Sequence, residues 1–153
     1  MINVNELIEK YKEKFKGEII DDVKAQELRL KFGHIVYFED WLKIIKNINL
    51  INLEFQVNEK LDKSGLGANM QIMTSEDKID EAFNFYPGIA AVKNGYIPFA
   101  TCLAGSGDPY FVNEDSNKIN IYRIPHDSVM ENDEIDEKKI EFVVDLESLF
   151  AIN

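Results

Sequence analysis

Apolar residues recur at helical spacing through the first third of the chain. Val4, Leu7, Ile8, Tyr11 and Phe15 fall on one face after Asn3, the spacing of an amphipathic helix. Glu6 stands three residues after Asn3, where a capping-box partner belongs, and Gly17 supplies a stop. Asp21 or Asp22 caps a second helix with Val23, Ala25, Leu28 and Phe32 on its buried side, ended by Gly33. Ile35-Val36-Tyr37-Phe38 is too short a run for its period to choose between strand and helix approach. Asp40 opens a third helix carrying Trp41, Leu42, Ile44, Ile45 and Ile48.

From Leu50 the period changes to two. Leu53, Phe55 and Val57 alternate with Glu54, Gln56 and Asn58, as in a half-buried strand. Lys63 to Gly67 reads as a loop and Met70 to Met73 as a return strand. Thr74-Ser75-Glu76-Asp77 places hydroxyls before acids, a helix start, and Pro87-Gly88 closes that short helix. An antiparallel meander follows over Ile89 to Val92, Tyr96 to Leu103, Tyr110 to Val112 and Lys118 to Arg123. Turn formers at Asn94-Gly95, Gly105 to Asp108 and Asn113 to Asn117 separate these runs. Pro98 has no amide donor and belongs at a strand start, an edge or a bulge. Met130 to Lys139 is a charged, solvated loop, Ile140 to Val144 a last strand, and Asp145 caps a helix burying Leu146, Leu149, Phe150 and Ile152. No repeat or linker interrupts this order. The prediction is a single α+β domain over residues 1–153, with helices covering a mostly antiparallel sheet.

Composition narrows the function classes. With 45% hydrophobic and 29% charged residues this is an ordinary globular composition. The net charge of −11 argues against nucleic acid as a partner, since phosphate recognition needs a positive field. It serves solubility or steers basic partners. Cys102 is the only cysteine, which excludes an internal disulfide and suits a reducing compartment. The N-terminus lacks a basic region followed by an apolar one, and no apolar run reaches the ~20 residues of a membrane span. A cytoplasmic protein is expected.

The chemistry-bearing residues form no recognisable constellation. Gly105-Ser106-Gly107 lacks the flanking glycines of a nucleophile elbow and the lysine of a phosphate loop, and reads as a turn. His126 precedes Asp127, a carboxylate able to orient it as a general base, but no nucleophile pairs with it in sequence. Cys102 sits in an apolar strand run and reads as a buried, inert thiol. Glu114/Asp115 and the acids from Glu131 to Glu137 lack EF-hand spacing. No catalytic, cofactor or metal residues are predicted. Tyrosines at turn edges, Tyr96 and Tyr110, double as interface anchors.

Tyr96-Ile97-Pro98-Phe99-Ala100, followed by Gly107-Asp108-Pro109-Tyr110-Phe111-Val112-Asn113, resembles the central signature of the SUKH superfamily. That superfamily includes bacterial immunity proteins and a fungal regulator of cell-wall synthesis. Ile72 to Ile79, Ile121 to His126 and Asp145 to Phe150 resemble its flanking pieces, so the likeness spans roughly residues 68–152. The front third departs from the pattern, Thr101-Cys102 replaces an acidic or asparagine position, and Asn113 replaces an aspartate. The resemblance implies a mixed, largely antiparallel sheet and a binding role: neutralising a toxin, often a nuclease, by docking on it, with no catalytic residues or cofactors. Together with the charge, it points to Tyr96, Asp108, Tyr110, Glu114 and Asp115 as the partner surface. The alternatives are a regulatory scaffold for an endogenous protein and a hydrolase built on His126 and nearby carboxylates.

Overall fold

A computed structural model describes residues 3–153. Helix α1 (Val4–Tyr11) starts at Asn3, whose Oδ1 accepts from the Glu6 amide at 3.2 Å. The Glu6 carboxylate meets the Asn3 side-chain amide rather than its backbone, so only half of the capping box forms. The helix ends at Tyr11, well before Gly17. Gly17 instead runs against residues 49–51, donates to the Asn49 carbonyl at 2.8 Å, and leaves no room there for a Cβ. Helix α2 (Asp22–Phe32) is capped by Asp21. It buries Ala25, Leu28 and Phe32 but leaves Val23 68% exposed, contrary to the expected face. Helix α3 (Phe38–Asn47) begins two residues before Asp40, so Ile35 to Phe38 is a turn leading into a helix.

Strands β1 (Glu54–Val57), β2 (Ala68–Ile72), β3 (Ile97–Cys102), β4 (Tyr110–Asp115), β5 (Lys118–Arg123) and β6 (Glu141–Asp145) form one six-stranded sheet in sequence order. All five pairings are antiparallel, so none of the expected mixed character is found between strands. Between β2 and β3 lie α4 (Ser75–Asn84), capped by Thr74, and α5 (Gly88–Ala91) with a 3-10 turn at Val92–Asn94. The expected strand over Ile89 to Val92 is therefore helical. Only its two alanines favour helix, and the Gly88 amide donates to Glu81 Oε2 at 3.1 Å, seating the turn against α4. Helix α6 (Leu146–Ile152) closes the chain, capped by Asp145.

The sheet has two unlike faces. On one, Ile97, Phe99, Val112, Ile119 and Ile121 join Trp41, Phe55 and Phe150 in the main core beneath the helices. Pro98 sits at a register shift in β3, as a bulge allows, and Trp41 meets Phe99 edge-on with 5.6 Å between centroids. On the other face a smaller cluster joins Ala90, Ala91, Phe111, Ile124 and Ile135. Residues 125–140 supply part of this cover. They are more than a solvated loop: Ile135 is buried, and Val129 bridges to it. The β4–β5 connection turns through Ser116 and Asn117, both at positive φ, as a two-residue hairpin requires.

The two outermost strands are not bare. The Asn153 side chain accepts from the Gln56 amide at 2.9 Å and donates to the Gln56 carbonyl at 3.1 Å on β1. The Lys63 amide donates to Val143 of β6 at 2.8 Å. The β1–β2 loop thus reaches the far strand, and the sheet is curled.

Candidate functional site

The expected partner residues separate into three places. Tyr96, directly before β3, lies beside Asn113 and is close enough to Asp115 to feel its charge. Glu114 and Asp115, both exposed, end β4 near Tyr96, with Asp115 on the sheet face of Asn113 and Tyr122 and Glu114, opposite Ile119, on the other. Asp108 lies before the other end of β4, roughly 20 Å away at ~3.4 Å per residue. Tyr110 is 1% exposed and its hydroxyl accepts from Arg123 Nη2 at 3.2 Å. It belongs to the core and offers no surface anchor.

Near Tyr96 the second sheet face carries aromatic side chains that water reaches. Tyr96 and Tyr122 meet edge to face with 5.5 Å between centroids, and Tyr122 and Phe142 follow at 5.7 Å. Tyr122 stands opposite Phe142 in the register of β5 and β6, which makes this a cross-strand row. Phe142 is 38% exposed, and the tyrosines are half-buried. Burial pushes the Tyr96 hydroxyl up to about 12, helped by Tyr122, Glu137 and Asp115 and opposed by Asn113. Burial also raises Tyr122, its bond from Asn120 opposes this, and Asp115 and Glu114 add to the rise. The row thus lies in a negative field set by Glu114, Asp115 and Glu137.

Asp108 has a different role. Its Oδ1 accepts from the His126 amide at 3.1 Å and lies 2.7 Å from His126 Nδ1. The carboxylate beside the imidazole is therefore Asp108 and not the neighbouring Asp127. Gly107 takes a positive φ of 67° in the preceding turn, and the Asp108 amide donates to Ser106 Oγ at 3.4 Å. Cys102 is half-buried rather than enclosed, with Sγ 3.5 Å from Ser106 Oγ. Glu81 on α4 completes the neighbourhood: burial pushes its carboxyl up to about 7, against the Gly88 amide and the charge of His126.

Two buried cations were not signalled by sequence spacing. Arg123 donates to Glu141 at 2.7 Å, to the Gly67 carbonyl at 2.6 Å and to Ser64 Oγ at 3.2 Å, with Asp62 at 3.5 Å. Its partners come from the β1–β2 loop, β4 and β6, so it ties that loop to the sheet. Lys78 is 1% exposed, and its Nζ donates to the Met73 carbonyl at 2.5 Å. Ser75 Oγ, one turn earlier, is buried without a hydrogen-bond partner.

Charge is divided sharply between the first third of the chain and the rest. Residues 1–53 hold nine Lys/Arg and nine Asp/Glu, whereas residues 54–153 hold eight and nineteen. The whole net charge of −11 therefore sits on the portion that contains the sheet. Concavities of about 290, 770 and 330 Å³ occur near Asn3 and Asp145, along Gln56 to Asn69, and near His34 and Gly95. None of these three is lined by Asp108 or His126. Among the described residues no group of three or more His, Cys, Asp or Glu is placed to hold a metal ion. Also among them, no helix is long and apolar enough to cross a membrane. Comparisons with models of known families, with curated proteins and with solved structures find no match.

Proposed function

We propose that this is a non-catalytic, SUKH-like protein-binding domain: a cytoplasmic immunity protein that neutralises a toxin by docking on it. The observation carrying the reading is the water-exposed aromatic row on the sheet, set among carboxylates in the two thirds of the chain that hold all the net charge. Aromatic rings supply desolvated contact at little entropic cost, and carboxylates speed encounter with a basic surface. A nuclease toxin, basic where it grips phosphate, fits that complement. The test is to search the neighbouring genes for a toxin and to co-express what is found there with this protein. Growth should be restored, and the two chains should co-purify as a complex. A neighbouring toxin that kills equally with and without this protein defeats the reading.

The Asp108–His126 pair favours a second reading, a hydrolase in which the carboxylate orients the imidazole as general base. Turnover of generic ester, phosphate or glycoside substrates, lost in His126→Ala, is the result it requires.

A further inference from the structure

We propose that the row Tyr96–Tyr122–Phe142, with Asp115 and Glu137, is a receptor for arginine side chains projecting from a basic protein partner. This rests on the protein-binding reading and specifies its chemistry. The row is not flat: Tyr96 and Tyr122 are 88° apart and Tyr122 and Phe142 50° apart, so adjacent rings present a face beside an edge. A planar guanidinium lies on a ring face with its charge over the π cloud, and its N–H edge is left free to pair with a carboxylate. An ammonium does the first less well and cannot make the two-pronged pairing.

Asp115 is placed for that second contact: alternation along β4 puts it on the same sheet face as Asn113 and Tyr122, whereas Glu114, opposite Ile119, lies on the other face. Asp115 acts on the hydroxyls of both Tyr96 and Tyr122, and Glu137 on Tyr96. Asp115 and Glu137 are both exposed and neither forms an ion pair within the described residues. Lys118 stands opposite Asp115 across the hairpin and exposed Lys138 directly follows Glu137, and an incoming arginine must outcompete both. The polar floor below the rings, Asn113 and Asn120, is already engaged: Asn113 with the Glu114 amide and the Asn94 carbonyl, Asn120 with the Tyr122 hydroxyl. What the face leaves open is ring surface and negative charge.

The experiment titrates the full-length protein with octa-arginine and, separately, octa-lysine, at about 0.15 M salt to suppress long-range attraction. Backbone amide NMR shifts give both affinity and location. Octa-arginine should bind roughly fivefold or more tightly than octa-lysine, the scale of one or two cation–π contacts. Its shifts should centre on Tyr96, Asn113 to Asp115, Tyr122 and Phe142. The double substitution Asp115→Asn/Glu137→Gln changes only exposed side chains and should weaken octa-arginine binding by about fivefold, as should Tyr122→Ser if it stays folded. Equal affinity for the two peptides, shifts centred on another acidic surface such as α4, no binding, or indifference to the double substitution overturns the assignment. A toxin that is neutralised equally well by the double variant overturns this surface and leaves the immunity reading intact. An intact arginine response without neutralisation does the reverse.

Discussion

Lys78 costs the folded protein stability, and its removal should show this with a characteristic dependence on pH. The amine is fully enclosed, and burial brings it down from its ordinary 10.5 to about 7, with Asp77 opposing. Below about 7 both folded and unfolded chains hold the proton, and the folded one holds it in a dry site. Between about 7 and 10.5 the unfolded chain is protonated while the folded one is not. Unfolding therefore takes up a proton, and stability rises with pH across that window. At ~1.4 kcal/mol per pH unit the burden at and below neutral pH is about 5 kcal/mol, and it vanishes above about 10.5. Lys78→Met keeps an unbranched chain in the same space and removes the charge, but withdraws the donor from the Met73 carbonyl. That loss costs about 1–3 kcal/mol at every pH. The variant should be more stable than the parent by about 2–4 kcal/mol at pH 6–7 and less stable near pH 10.5, with the two curves crossing between. Urea unfolding at about pH 6, 8 and 9.5, analysed at equal m, reads this directly. A stability difference that stays constant over that range, or a loss at the acid end, refutes the account of Lys78.

Arg123→Met should destabilise by about 3–5 kcal/mol, because it leaves buried Asp62 and half-buried Glu141 without their cation. Adding Asp62→Asn should recover part of this, and a loss under ~1 kcal/mol in chemical denaturation would show the network to be dispensable. In the β3–β4 turn, Gly107 is at positive φ and Gly105 is not, while an added Cβ meets nothing at either. Gly107→Ala should therefore cost about 1 kcal/mol and Gly105→Ala almost nothing, and equal melting temperatures for the two variants would contradict the backbone argument.

What could be read from sequence was what depends on near neighbours. Asn3, Asp21, Thr74 and Asp145 each accept from an amide three residues on, and all four helix starts follow from those side chains. Five of the six strands lay under alternating or apolar runs bounded by turn residues, and the sixth, β6, under Ile140 to Val144. The failures share a cause. Ile89 to Val92 is apolar without a period, and what makes it helical is contact with α4, seven residues back in the chain. Val23 is the exception: it stands two residues before Ala25, off the helical face of Ala25, Leu28 and Phe32 and in line with exposed Leu30, so its outward position is legible in the spacing itself, against the buried place expected for it. Tyr110 sits at a turn edge in sequence, but its ring is held by Arg123, thirteen residues on. His126 has Asp127 beside it and bonds instead to Asp108, eighteen residues earlier. The aromatic row likewise draws one residue from each of three segments, and only the register of β5 and β6 reveals the neighbours.

The clasped margins of the sheet bear on how anything can attach to it. A peptide that joins a sheet as an extra strand needs an uninterrupted ladder of unpaired amides and carbonyls. On β1 both backbone groups of Gln56 are taken by Asn153, and on β6 the Val143 carbonyl is taken by Lys63. Lys14 reinforces the first closure by donating to the Phe150 carbonyl of α6 at 2.5 Å. Strand addition, and the runaway stacking of copies that exploits the same ladder, must first lift α6 or the 58–67 loop. Any partner that leaves α6 and that loop in place would have to be recognised by side chains on a surface, where a few substitutions can change the contact without disturbing the backbone pairing beneath.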